Sequence, residues 1–136
     1  MSFKDLGLSD PILRALKKLD HTKPSEIQLK AIPLILEGKS IMASAQTGSG
    51  KTAGFVLPIL EQLKGINAPK SKNINVLILA PTRELASQIQ ESVIRYGNFM
   101  SKSSVAIFGG AKIFPQKNKL NLELIFWWQP LEDCLI

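Results

Sequence analysis

The sequence predicts an α/β protein with a parallel sheet flanked by helices, and three observations carry that prediction. The first is the stretch Ala45-Gln46-Thr47-Gly48-Ser49-Gly50-Lys51-Thr52. It follows the apolar triplet Ile41-Met42-Ala43 and leads into Ala53-Gly54-Phe55-Val56-Leu57. Strand, glycine-bearing loop, Lys-Thr and helix, in that order, are the context of a phosphate-binding loop. The second is the near-continuous Val, Ile and Leu run from Ile74 to Ala80, as expected of a parallel strand covered on both faces. The third is the alternation of short apolar runs with segments of helical period, which indicates a parallel sheet.

The elements follow in order. Residues 9–19 read as an amphipathic helix: Ser9 is its N-cap, Asp10 and Pro11 suit the first turn, and Ile12, Leu13, Leu16 and Leu19 share a face. Asp20 to Pro24 is a connector. A second helix begins at Ser25, with Ala31, Ile32, Ile35 and Leu36 inward, Gly38 as its stop, and Pro33 costing it a backbone hydrogen bond. Thr52 to Leu63 is predicted helical, burying Phe55, Leu57, Ile59, Leu60 and Leu63, and Lys64 to Asn73 is a surface loop. Pro81 ends the strand at Ala80, and Thr82 can cap a helix through about Phe99 with Leu85, Ile89, Val93 and Phe99 as its stripe. Val105 to Phe108 is a third short strand, closed by Gly109-Gly110.

Within the phosphate loop the residue types fit the chemistry. Gly48 and Gly50 let the backbone curl with its N–H groups inward. The helix starting near Lys51 adds the partial positive charge of its N-terminus. Lys51 can reach the β- and γ-phosphates, and the Thr52 hydroxyl suits Mg²⁺. Ala45 stands where the general pattern has its first glycine. These residues point to a nucleoside-triphosphate site.

Two further stretches are open to more than one reading. Ser25-Glu26-Ile27-Gln28 has the spacing of a capping box, yet the Gln28 amide, which both donates and accepts, also suits a purine edge. Pro81-Thr82-Arg83-Glu84-Leu85-Ala86 lies at the carboxyl end of a parallel strand, where open α/β sheets place ligand contacts. A threonine hydroxyl, an arginine and helix-start N–H groups grip phosphodiester backbones. Equally, Thr82 can simply cap and Arg83–Glu84 can be a solvated pair.

Bulk properties narrow the class. A chain of 136 residues with 45% apolar residues supports one domain. No apolar run approaches a membrane span, and Met1-Ser2-Phe3-Lys4-Asp5 lacks an export signal. The single cysteine, Cys134, excludes an internal disulfide and a cysteine-built metal site. These features suggest a soluble, cytoplasmic protein. The net charge of +6 lies in the first 110 residues, because the three lysines of 111–136 are balanced by Glu123, Glu132 and Asp133. It suits an anionic partner such as nucleic acid or a nucleotide.

Together these residues resemble the DEAD-box family of ATP-dependent RNA helicases, most closely its small bacterial members. Ala45–Thr52 is similar to that family's phosphate loop, which has alanine at the first position. Thr22-Lys23-Pro24-Ser25-Glu26-Ile27-Gln28, with Phe3 upstream, resembles its adenine-reading Q motif, although Ser25 and Glu26 stand where Thr and Pro are common. Pro81–Ala86 resembles its first RNA-contacting motif, and Gly109-Gly110 the glycine pair that follows. The resemblance implies a P-loop RecA-like fold for residues 1–120. Within it the Q-motif region covers 1–38, the phosphate loop 45–52 and the RNA-contact motif 81–86. It implies ATP and Mg²⁺ as cofactors, held by Phe3, Lys23, Gln28, Ala45, Gln46, Thr47, Gly48, Ser49, Gly50, Lys51 and Thr52, with Lys51 and Thr52 catalytic and Thr52 on the metal. It implies that Pro81, Thr82, Arg83, Gly109 and Gly110 face RNA backbone without reading sequence.

The chain has no Asp-Glu-Ala-Asp, no Ser-Ala-Thr and no second domain with its arginine finger. The expectation is therefore an incomplete first helicase domain that binds nucleotide but hydrolyses it poorly, since the acidic motif holds Mg²⁺ and positions the attacking water. The competing expectation is an inert nucleotide- or RNA-binding fragment, or the product of a disrupted gene. The phosphate-loop strand is also expected to lack sheet neighbours on which it depends.

Residues 121–136 carry both tryptophans and the cysteine, and Leu124–Ile136 does not resemble the family. Joining the third base of each codon to the first two of the next forces Leu, Val and Ala across Phe126-Trp127-Trp128-Gln129, and Leu at Asp133–Cys134. The other junctions permit the rest of Asp-Ile-Leu-Val-Ala-Thr-Pro-Gly-Arg-Leu-Leu-Asp, which resembles the family's next RNA-contacting motif. The expectation is a tail in a shifted frame, with the slip between about Leu120 and Leu124.

Overall fold

A computed structural model describes residues 1–64, 75–100, 104–108 and 124–128. The chain divides into two compact units: Met1–Ile66 with Arg95–Ser101, and Asn67–Ile94 with Lys102–Ile136.

The first unit is helical. A short 3-10 turn, Phe3–Leu6, precedes α1 (Asp10–Lys18), α2 (Glu26–Leu36) and α3 (Lys51–Leu63). Ser9 is the N-cap of α1, as its sequence indicates, but its backbone N–H is taken by Glu61 Oε2 of α3 at 2.7 Å. A carboxylate at a helix N-terminus also complements the helix dipole. Two helices end in the same left-handed device. His21 N donates to Leu16 O (3.0 Å) and Asp20 N to Lys17 O (3.2 Å) after α1; Lys39 N donates to Leu34 O (3.0 Å) and Gly38 N to Ile35 O (2.9 Å) after α2. Gly38 takes its positive φ of 76° freely, whereas Asp20 holds φ 55°, a conformation that Asp tolerates better than most residues.

The core of this unit is the seam where α2 packs along α3, with Ile32, Val56, Leu57 and Leu60 fully buried. The buried residues of α3 are Ala53, Gly54, Val56, Leu57, Pro58, Leu60 and Leu63, a broad stripe with the 3.6-residue period of a helix. Phe55 and Ile59, expected inward, are only half-buried, because that stripe places them on its flank. In α2, Ala31 and Ile32 are inward as expected, while Ile35 and Leu36 are half-buried.

The second unit holds a three-stranded, wholly parallel sheet in the order β1-β3-β2, from β1 (Val76–Ala80), β2 (Ser104–Phe108) and β3 (Leu124–Trp128). The last strand in sequence is thus the middle one in space: Val76 and Ser104 both lie opposite Leu124, and Ala80 and Phe108 opposite Trp128. A continuous apolar run suits that position. Between β1 and β2 the chain crosses through α4 (Arg83–Tyr96), whose last two residues belong to the first unit; within the second its buried residues are Ala86, Ile89 and Val93. Gln90 Nε2 of α4 donates to Ser104 O of β2 at 3.3 Å.

Three sequence expectations need correction. β1 is not covered on both faces: Leu77 and Leu79 are 57% and 71% exposed, since alternate residues point away from its packed side and nothing among the described residues covers that other face. The fourth helix stops at Tyr96, before Gly97-Asn98, so Phe99 lies in the following turn and does not extend the stripe. Ile41-Met42-Ala43 is no strand: among the described residues no strand pairs with it, and Met42 is fully exposed. A β-conformation is held by its ladder, and three apolar residues alone do not fix one. Ile74, the loop 65–73, Gly109-Gly110, Cys134 and residues 109–123 and 129–136 lie outside the described residues.

Candidate nucleotide-binding site

The phosphate loop is built on the α2–α3 seam. Gly48 and Gly50 hold φ of 81° and 87°, the left-handed conformation that the sequence requires of them. Ser49 N closes a turn onto Gln46 O at 3.3 Å, and Gly50 then serves as N-cap of α3. Helix geometry leaves the N–H groups of the first turn after Gly50 without intrahelical partners, which is the donor set an anion needs. Lys51 is exposed, and its ammonium donates to Ala45 O, bending across the loop from its C-terminal to its N-terminal end. Thr52 is half-buried on the first turn of α3.

Gln28 ties the loop to α2. It is the buried polar residue of the described core, at 6% exposure. Its Oε1 accepts from Ser25 N at 3.0 Å, which is the capping role the spacing indicates. Its Nε2 donates to Gly50 O, also at 3.0 Å. One amide therefore fixes the start of α2 and the start of α3 together. A Cβ on Gly50 would collide with that amide and stand 3.1 Å from Ser25 Oγ, so position 50 needs glycine for space as well as for φ. The second bond, from Gln28 to the loop backbone, has no signature in sequence spacing.

An open cavity of about 550 Å³ runs beside the loop between α2 and residues 41–45, lined by Ala31, Leu34, Ile41, Met42, Ser25 and Ser49. The Ser25 and Ser49 hydroxyls are buried with no hydrogen-bond partner.

Of the other expected residues, Phe3 is buried at 5% exposure in the 3-10 turn, and Lys23 is exposed in the connector after α1. Pro81, Thr82 and Arg83 belong to the second unit, at the carboxyl end of β1, and all three are exposed. There Thr82 Oγ1 accepts from Leu85 N at 3.1 Å, so the hydroxyl caps α4.

The sequence model of the DEAD/DEAH box helicase family matches residues 25–128, which include the phosphate loop, β1, the start of α4 and β3. The chain belongs to the DEAD/DEAH box helicase family. It is 42% identical over 115 residues to the DEAD-box ATP-dependent RNA helicase RhpA of Helicobacter pylori (strain B128), covering 85% of this chain and 22% of RhpA. It is 46% identical over 112 residues to the ATP-dependent RNA helicase DeaD of Escherichia coli (strain K12), covering 82% of this chain and 17% of DeaD. Among solved structures, a DEAD box protein of Methanococcus jannaschii matches with TM-score 0.85 and 38% identity, over 94% of this chain and 34% of that one. The RNA helicase Prp28 of Chaetomium thermophilum, solved with ADP, matches with TM-score 0.83 and 33% identity, over 93% of this chain and 31% of that one. The fold is thus the RecA-like α/β fold of this family, and the chain spans about a fifth of the length of the curated relatives it matches. No helix among the described residues is long and apolar enough to cross a membrane.

Proposed function

We propose that this chain is the nucleotide-binding part of an ATP-dependent RNA helicase, and that the loop 45–52 receives the phosphates of ATP with Mg²⁺. The observation that carries this reading is the Gln28–Gly50 bond. It fixes Gly50, the left-handed N-cap of α3, and so the N-terminus of that helix. The donor set fits an anion: unpartnered N–H groups at the start of α3, the Lys51 ammonium beside them, and the two orphaned serine hydroxyls flanking the loop. Lys51 must release Ala45 O and swing onto the phosphates.

Thr52 fits one protein ligand of Mg²⁺, an ion that keeps several waters and binds phosphate oxygens directly. Thr52 would hold that ion, which would supply positive charge to offset the charge of the phosphates. We assign this chain nucleotide binding without useful turnover, because its 136 residues contain no Asp-Glu-Ala-Asp to position the attacking water. Phe3, Lys23 and Gln28 are assigned to adenine, for which the buried Gln28 amide must use the lone pair and the N–H left beyond its bonds to Ser25 N and Gly50 O. The exposed Pro81, Thr82 and Arg83, with Gly109 and Gly110, are assigned to RNA backbone, with Thr82 also capping α4. We further propose that residues 121–136 are read in a shifted frame; both frames supply an apolar run for the middle strand.

The test is phosphate release from MgATP by the purified chain, with and without single-stranded RNA. The reading predicts release at background in both. RNA-stimulated release that Lys51→Ala abolishes would show a complete catalytic centre in this chain and overturn the assignment.

A further inference from the structure

We propose that the exposed basic end of α1, together with the turn after α4, is an additional contact surface for single-stranded RNA: Arg14 and Lys18 take phosphates, and a base stacks on the Arg14 guanidinium, itself laid on Phe99. All of these residues belong to the first unit. The Arg14 guanidinium carbon stands 4.4 Å from the centre of the Phe99 ring, and Lys18 Nζ 5.9 Å from it. Arg14 and Lys18 are one helical turn apart, so both cations reach the same ring from the same face of α1. Lys17 adds a third exposed charge, and none of the three is ion-paired among the described residues.

A solvated basic face needs no aromatic ring, and cations that only complement the α1 dipole need not converge on one. Here the ring is 37% exposed in a turn, with the Arg14 guanidinium over one of its faces. A guanidinium stacked on one side keeps its other face and its in-plane N–H groups for a base and a phosphate, and its ordering cost has been met before the ligand binds. At the same end of α1 the exposed His21 ring meets Tyr96 edge-on at 5.8 Å, adding a second flat group beside the charges. An acidic protein partner would use the charges but not the stack, so the combination favours RNA.

The inference rests on the reading that the chain binds RNA, and one salt titration separates the two. The anisotropy of a fluorescein-labelled oligouridine is followed for the wild-type chain, Arg14→Gln/Lys18→Gln, Lys18→Gln and Arg83→Ala. Lys39→Gln, a lysine paired with Glu37 elsewhere on the unit, is the control for general loss of charge. Glutamine keeps part of each aliphatic stem, and Lys18→Gln leaves the closer Arg14–Phe99 stack in place, so at least one variant folds. The double variant is expected to lower the salt slope by about 1.4 and to weaken binding at least tenfold at low salt, Lys18→Gln to lower the slope by about half as much, and Lys39→Gln to do neither. Slopes and affinities of both variants equal to wild type, with Arg83→Ala weakened, would overturn this surface and leave the RNA reading intact. Wild-type chain that shows no salt-dependent binding would overturn both.

Discussion

The double role of Gln28 makes a quantitative prediction about the neighbouring glycine. Gln28→Ala removes two hydrogen bonds, to Ser25 N and Gly50 O, each contributing about 1 kcal/mol, so it should cost about 2 kcal/mol. Gly50→Ala forces a non-glycine residue into φ 87° at about 1–2 kcal/mol, and drives a methyl group into the Gln28 amide at a further 1–3 kcal/mol. That displacement also breaks the bond to Gly50 O. In the double variant the amide is gone and the bond is lost only once. The two changes should therefore fall short of their sum by about 2–4 kcal/mol, the clash and the bond that is lost only once. Chemical denaturation followed by far-ultraviolet circular dichroism measures each corner of the cycle. Additivity within about 0.5 kcal/mol would refute the claim that Gln28 and Gly50 share one packing constraint.

Two other outcomes follow from separate parts of the chain. Tyr96, the single tyrosine, is buried enough to lift its ionisation above the ordinary value of 10.0, with Arg95 pulling weakly the other way. Its neutral form is favoured by folding, so the stability it contributes is present below the unfolded pKa and is lost as pH rises through the folded one. Alkaline absorbance titration should show a midpoint above that of the denatured chain, and equal midpoints would contradict its burial. The frame proposal is read from the coding DNA. The shifted frame should encode Thr-Pro-Gly-Arg and run on toward Asp-Glu-Ala-Asp, and a shifted frame that does neither ends that proposal.

The local signals read well where one residue type has one physical use. Gly48, Gly50 and Gly38 mark left-handed positions, Ser9 and Thr82 mark helix starts, and the wholly parallel sheet follows from its apolar runs. Pro58 shows the limit of propensity, because it lies inside α3, fully buried, where packing offsets a cost of about 3 kcal/mol. What could not be read depends on partners distant in sequence. The strand expected at Ile41–Ala43 needs a ladder. Burial of Leu77 and Leu79 needs a second layer. The Gln28–Gly50 bond joins residues 22 apart. The place of β3 between β1 and β2 is likewise a matter of topology that no run of Leu, Ile, Phe and Trp announces.

Titration calorimetry with MgADP and MgATP tests, without requiring turnover, whether the loop 45–52 is a formed phosphate site. Both nucleotides should bind the wild-type chain saturably. Lys51→Ala should weaken binding by about ten- to a hundredfold, the worth of one charge-assisted hydrogen bond to phosphate. Gln28→Ala should also weaken it, through the displaced Gly50 carbonyl. No binding heat from the wild-type chain, or equal affinities for wild type and Lys51→Ala, would contradict a formed site there.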